Sequence, residues 1–197
     1  MRDFTFFMNI IAGSARNLLL AGLPDSEVRP TAIRARKALF DSLGTFDGLG
    51  VLDLCSGSGA LALESLSRGA AWGAMVEKNP AHIECIKENC RRVNAAGCQG
   101  EMLILEFDIL NFSRYSYQLP GVPDLIFADP PYAFSAEIFQ TLMQNQDFLS
   151  FCKGAKLIWE IPDSPGAMGG FINIPALKDP QFRRFGGTIF LSGTIQC

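Results

Sequence analysis

The stretch VLDLCSGSGALALES, residues 51–65, limits the possible folds of this chain more than any other. Strand-forming residues run to Cys55, a turn of two serines and two glycines follows, and helical spacing begins at Ala60. A strand that enters a helix through a glycine turn is half of a strand–helix–strand unit, and such a turn aims backbone N–H groups beyond the strand end. Gly57, Ser58 and Gly59 are therefore candidate ligand-loop residues.

The same alternation continues along the chain. WGAMVE at 72–77, MLILEFD at 102–108, DLIFAD at 124–129 and AKLIWEI at 155–161 read as further strands. Helices are expected over 60–69, from Asn79 and Pro80 to Gly97, and over 135–145. FRRF and GTIFLSGTI, separated by Gly186 and Gly187, read as a closing hairpin. The expectation is an α/β fold with a mostly parallel sheet and an antiparallel last pair.

Ahead of the sheet, RPTAIRARKALFDSL at 29–43 reads as a helix with Thr31 as N-cap and Leu39, Phe40 and Leu43 facing inward. FTFFMNIIAGSA reads as the first strand of a hairpin, because Asp3 stands where a signal segment carries positive charge and the apolar run is short. The division expected is an extension over 1–45 and a main domain over 46–197.

A chain of 197 residues, 48% hydrophobic and 19% charged, can bury one substantial core. The net charge of −3 argues against general nucleic-acid or membrane attachment, so a nucleic-acid partner must be met locally. The six cysteines form no CxxC pair and His82 is the lone histidine, which leaves zinc and iron–sulfur sites without their ligand spacing. Reduced cysteines in a cytoplasmic protein, with no metal and no membrane span, are expected.

Gly57, Gly59 and Ala62 satisfy GxGxxA, and Glu77 follows Gly57 by twenty residues at the end of the second strand, where an acid accepts from ribose hydroxyls. That fingerprint alone leaves two cofactors open, a nicotinamide dinucleotide and S-adenosylmethionine. Asp53 favours the second, since a carboxylate inside the strand suits a sulfonium and its amino group and repels a pyrophosphate. Asp108, ending the third strand, is placed to accept from an adenine amino group. The plain alternative for Asp53 and Asp108 is a helix-capping or turn-forming acid.

The corner ADPPY at 128–132 has no use in a dehydrogenase. Pro130 and Pro131 end the strand at about Asp129 and stiffen the turn, at the sheet edge where ligands of open α/β sheets bind. An exocyclic base amino group is a weak nucleophile. Asp129 and the Pro130 carbonyl can accept from its two N–H bonds while Tyr132 offers a flat face for an extruded base.

VLDLCSGSGALALESLSRGA, VEKN, the ADPPY corner and RPTAIRARKALFDSL, with IIAG near the start and FGGTIFLSG near the end, resemble the RsmD-type 16S ribosomal RNA guanine-N2 methyltransferases nearly end to end. The resemblance implies a Rossmann-like class I methyltransferase fold with a seven-stranded sheet and an N-terminal hairpin extension. It also implies S-adenosylmethionine as cofactor and a guanine amino group of the small-subunit rRNA as target. A monomer is expected. Asp53, Gly57 and Gly59 carry over as cofactor-loop residues, Glu77 as ribose acceptor, and Asp129, Pro130, Pro131 and Tyr132 as the base clamp.

Two departures stand out. The loop reads CSGSG where FAGSG is common, and the extension IIAGSARNLLLAGLPDSEVRP holds only Arg16 and Arg29 as basic residues where the family is rich in them. That leaves Arg29, Arg34, Arg36, Lys37, Arg183 and Arg184 as candidate phosphate contacts, with a solvated helix face and hairpin edge as the alternative. A DNA amino-methyltransferase shares the corner but normally carries a target-recognition segment, and the roughly seventy residues between glycine loop and corner contain no such insertion. A non-catalytic ribosome-assembly module has no need of Asp129 and Tyr132.

Overall fold

A computed structural model describes residues 6–23, 30–172, 174–185 and 187–196. An antiparallel hairpin, β1 (Phe6–Asn9) and β2 (Leu19–Ala21), precedes helix α1 (Pro30–Leu43). The main sheet contains β3 (Gly50–Leu54), β4 (Trp72–Glu77), β5 (Glu101–Glu106), β6 (Leu125–Ala128), β7 (Lys156–Pro162), β8 (Leu177–Phe185) and β9 (Thr188–Ile195). Helices α2 (Ala60–Ser67) and α3 (Pro80–Ala95) lie between the first three, and α4 (Ser135–Leu142) and α5 (Gln146–Phe151) between β6 and β7.

The sheet order is β5-β4-β3-β6-β7-β9-β8, parallel through β7 and antiparallel at β9 and β8. β3 is flanked by β4 on one side and β6 on the other, so the strand order reverses between β3 and β6. A crevice opens at such a switch point beyond the strands' carboxyl ends.

Alternation across the pleat sorts side chains into two cores. Leu52, Leu54, Ile126, Leu157 and Trp159 face α4 and α5, while Val51, Phe127 and Ile158 face α1, α2 and α3. Ile10 and Leu20 of the hairpin region and Leu39 and Phe40 of α1 belong to this second core, so the extension shares its packing with the sheet.

The hairpin is bound to α2 by polar contacts inside that core. Buried Glu64 accepts from Ile11 N–H at 2.6 Å, Ala12 N–H at 3.1 Å and Arg68 Nε at 2.7 Å. Ser67 Oγ donates to the Ala12 carbonyl at 2.6 Å and accepts from Ala15 N–H at 2.9 Å. Hydrogen bonds to a charged acceptor contribute about 1.5–3 kcal/mol each, enough to fix a two-stranded hairpin that is marginal alone. Gly13 permits the approach: its φ is +85°, and a Cβ there would lie 1.7 Å from the Ser67 carbonyl oxygen.

Three expectations need correction. Thr31 lies inside α1, which already includes Pro30, so it is not the N-cap. The expected 135–145 helix stops at Leu142, because Asn145 is extended and its side chain caps α5 by accepting from Phe148 N–H at 3.1 Å. β8 begins at Leu177, well before FRRF, with an irregular register between Lys178 and Gln181 where Asp179 has φ 51° and Pro180 lacks an N–H for the ladder. Among the described residues, no helix is long and apolar enough to cross a membrane.

Candidate active site

The glycine turn sits at the carboxyl end of β3, on the switch point. Cys55 adopts φ 60°, a left-handed conformation costing a non-glycine residue about 1–2 kcal/mol, and Gly57 and Gly59 follow at φ 56° and 77°. A Cβ on Gly59 would meet Met75 Sδ at 3.0 Å, so the tight approach of loop to strand favours glycine by space as well as by conformation. Ser56 Oγ donates to the Asp53 carbonyl at 2.6 Å and bridges to the Val76 carbonyl at 3.2 Å.

Asp53 is 1% exposed. Its Oδ2 accepts from Ala62 N–H at 3.2 Å, so the capping alternative is partly realised. Its Oδ1 is buried with no partner among the described residues. Burial, opposed by the Ala62 hydrogen bond and reinforced by the charge of Glu77, raises the carboxyl to about 7. A buried oxygen without a donor is costly unless a ligand supplies one.

Glu77 binds the turn more than the sequence suggested. Oε2 accepts from Gly57 N–H at 3.0 Å, Oε1 from Lys78 and Asn79 N–H at 2.9 Å each, and His82 Nδ1 lies 3.4 Å away. Asp108 accepts from Leu110 N–H at 3.1 Å and pairs with Lys78 Nζ at 2.9 Å. Burial draws its carboxyl upward, but the Lys78 hydrogen bond, the Leu110 N–H and the Lys78 charge outweigh burial and hold it below its ordinary value. Burial, followed by the charges of Glu77, Asp53, Asp129 and Asp108, pushes the Cys55 thiol up to about 12. The four acids read separately along the sequence thus converge on the first residue of the loop.

The second wall is the proline corner. Pro130 is buried; Asp129, Pro131 and Tyr132 are exposed. Tyr132 is 42% exposed and its hydroxyl donates to Glu160 Oε1 at 2.9 Å, which stands the ring up at the end of β7. Surrounding protein, followed by the charges of Glu160 and Asp53, drives the Asp129 carboxyl upward, and solvent reaching this exposed group moderates the effect. The site gathers carboxylates around a glycine turn at the switch-point edge. It suits a cationic ligand with donor groups and disfavours a pyrophosphate.

Of the candidate phosphate contacts, one is withdrawn by its burial. Arg36 is 6% exposed and donates to Met8 Sδ and the Asn9 carbonyl. Its guanidinium is spent holding β1 onto α1, which removes it from the candidate phosphate contacts. Arg34 is exposed, and Lys37 is exposed and paired with Asp41. Arg183 and Arg184 are exposed on β8, the latter 2.9 Å from Asp163. Arg29 lies outside the described residues. Among those residues, no group of three or more His, Cys, Asp or Glu side chains could hold a metal ion.

Two residues escaped the sequence reading. Glu160 interrupts an otherwise apolar strand near its carboxyl end, a signal available in AKLIWEI. Asn89 is fully buried on the face of α3 shared with Ile86 and Val93, and a polar residue within an apolar helical stripe is likewise a legible signal.

The sheet order, glycine corner and closing antiparallel pair define a Rossmann-like class I methyltransferase fold. The chain belongs to the family described as Conserved hypothetical protein 95, the RsmD family, whose model matches residues 8–179. It is 33% identical over 128 residues to the ribosomal RNA small subunit methyltransferase D of Escherichia coli K12, covering 64% of this chain and 60% of that one. A hypothetical protein from Thermus thermophilus superposes with a TM-score of 0.72 at 25% identity, covering 96% of this chain and 100% of that one. The magnesium protoporphyrin IX methyltransferase of Synechocystis PCC 6803, solved with bound SAH, shares the fold at a TM-score of 0.59 and 14% identity, covering 87% and 90% of the two chains. The matched stretch spans from about half to just under two thirds of the curated relatives' length.

Proposed function

We propose that the protein is an S-adenosylmethionine-dependent methyltransferase that acts on the exocyclic N2 amino group of a guanine in 16S rRNA. The observation that carries this reading is the unpartnered Asp53 Oδ1, buried beneath a glycine turn, one strand away from Asp129 and Tyr132. The cofactor, when bound, supplies an electrophilic methyl group on a cationic sulfur. Asp53 offers that ligand's amino group an acceptor oxygen with no donor among the described residues. The loop Gly57–Ser58–Gly59 brings backbone close to it, Glu77 accepts from the ribose, and Asp108 accepts from the adenine amino group. Relatives named small-subunit rRNA methyltransferases support the RNA target.

On the facing wall, Tyr132 supplies a stacking surface for an extruded base, and Asp129 with the Pro130 carbonyl accepts from the amino group to be methylated. Both acceptors act by orientation and charge at the moment of transfer. The amino nitrogen sheds its proton readily once alkylated, so no strong base is needed in the site. The protein works as a cytoplasmic monomer, and its substrate is the small ribosomal subunit or a late precursor, because Arg34, Lys37, Arg183 and Arg184 give it little grip on bare RNA.

The test is incubation with labelled S-adenosylmethionine and 16S rRNA, small subunits or duplex DNA, followed by digestion and nucleoside identification. N2-methylguanosine from rRNA is expected. N6-methyladenine from DNA with unlabelled rRNA would overturn the proposal in favour of a DNA amino-methyltransferase.

A further inference from the structure

Asp129 has a carboxylate beside it that the reaction as proposed does not use. β6 and β7 pair in parallel with Ala128 level with Trp159, so the next residue of each chain, Asp129 and Glu160, comes level at the switch-point edge. Residues level in a parallel pair project to the same face. Tyr132 marks the same place from the other side, with its hydroxyl 2.9 Å from Glu160 Oε1. Glu160 is firmly held, since its neighbours Trp159 and Ile161 are fully buried and the Trp159 Nε1–H donates to Ser135 Oγ at 2.9 Å.

Two carboxylates at one edge repel each other, and the charge of Glu160 makes Asp129 harder to ionise. A stacking tyrosine does not require this arrangement, because water can satisfy an exposed phenol hydroxyl. The arrangement is useful if the ligand brings two donors side by side. Guanine does so with its ring N1–H and its N2 amino group, whereas adenine and cytosine each place a bare ring nitrogen beside their amino group. The Tyr132 hydroxyl donates to one oxygen of the Glu160 carboxylate.

Resting on the assignment of Asp129 and Tyr132 as the base clamp, we propose that Glu160 reads the target base: its carboxylate fixes Tyr132 and accepts from the ring N1–H of the seated guanine, while Asp129 accepts from the neighbouring amino group. A base with a bare ring nitrogen meets a carboxylate instead of a donor. Selection for guanine over other amino-bearing bases follows from this pair of acids.

The probe is 2-aminopurine, which keeps the amino group and lacks the ring N1–H together with the 6-oxo group, so the change in preference on altering Glu160, not the wild-type preference alone, reports the N1–H contact. After the labelled nucleotide is mapped, small subunits are reconstituted with 16S rRNA carrying guanine or 2-aminopurine at that position, and kcat/KM is measured for each. Sites that hydrogen-bond a substrate group reject analogues lacking it by large factors, so wild type should prefer guanine by about 100-fold or more. Glu160→Gln should narrow the preference to below about ten-fold, because a neutral amide can donate to the bare nitrogen. Tyr132→Phe should lower kcat on both bases and leave the ratio alone. Calorimetric affinity for S-adenosylhomocysteine should be unchanged in both variants, which separates base reading from a damaged fold. Equal rates on the two bases in wild type, or an unchanged ratio in a Glu160→Gln protein that binds S-adenosylhomocysteine normally, would overturn the role of Glu160 alone. Should Glu160→Gln fail to fold, Glu160→Ala is compared in the same way, and an unchanged ratio in a variant that binds S-adenosylhomocysteine normally overturns the role of Glu160. Wild type that binds cofactor and labels no RNA would overturn the methyltransferase reading of the site and this inference with it.

Discussion

Asn89 Nδ2 donates to the Ser58 carbonyl at 2.9 Å and to the Ala21 carbonyl at 3.0 Å, while its Oδ1 accepts from Ala21 N–H at 2.7 Å. One buried amide on α3 therefore joins the glycine turn to β2. Replacing Asn89 with alanine strands the buried Ala21 N–H, at a cost of about 1–3 kcal/mol. Urea denaturation should register that loss, and titration with S-adenosylmethionine should show weaker binding, because the turn loses its brace. Unchanged stability would mean that water replaces the amide and that β2 is not held through it.

Glu77→Ala should weaken cofactor binding and also loosen the turn, since Glu77 receives three backbone N–H groups, from Gly57, Lys78 and Asn79. Glu77→Gln retains an acceptor and should recover most of the stability while remaining impaired in affinity. Calorimetry and thermal melting measured together separate the two effects. If alanine changes affinity while stability stays at the wild-type level, the hydrogen bonds to the turn are dispensable.

If Asp53 holds the cofactor's amino group as proposed, cofactor affinity should depend on pH. Its folded value of about 7 lies above the ordinary 3.8, so between those values the folded protein binds more protons than the unfolded chain. Stability contributed by the protonated form is therefore greatest at low pH and is lost as pH rises toward 7. A cationic amino group held by the ionised carboxylate reverses the preference and releases a proton on binding. S-adenosylmethionine affinity should tighten as pH rises from about 6 to 8 and flatten above it, about tenfold per unit at most. Asp53→Asn should remove the slope.

Asp129→Ala should reduce turnover by at least about 100-fold with little change in cofactor affinity, because its acceptor acts on the base at transfer. Single-turnover rates at saturating cofactor are the relevant measurement. Activity within a few-fold of wild type would mean the corner is architectural.

The glycine turn and the proline corner were legible because their signals are local: each is a few residues whose conformational limits apply in any context. The position of Arg36 was harder to read. It lies three and four residues before Leu39 and Phe40, so it shares the inward face of α1, and this spacing is visible in RPTAIRARKALFDSL. What could not be read locally is that β1 supplies Met8 and the Asn9 carbonyl at that face, because a hairpin more than twenty residues upstream packs there. The setting of Glu160 is non-local in the same way. Its strand was recognised, but its level with Asp129 depends on the pairing of β6 with β7 across an intervening helical region.

Charge gives the remaining prediction. With Arg36 buried against β1, the described candidates for phosphate contact are Arg34, Lys37, Arg183 and Arg184, and two of these already face Asp41 or Asp163. Each phosphate contact releases less than one counterion, so the slope of log RNA affinity against log salt should be shallow, roughly −2 to −4. Arg34→Ala with Arg183→Ala should flatten it further while S-adenosylmethionine binding persists, whereas Arg36→Ala should lower stability and leave the slope nearly unchanged. If these four are the phosphate contacts, docking needs contacts beyond phosphate charge, and an assembled particle offers shape and protein surface that bare RNA lacks. Methylation at physiological salt should therefore be faster on assembled small subunits than on deproteinised 16S rRNA. The reverse order, or a slope steeper than about −6, would mean that the enzyme grips RNA through more basic groups than these four.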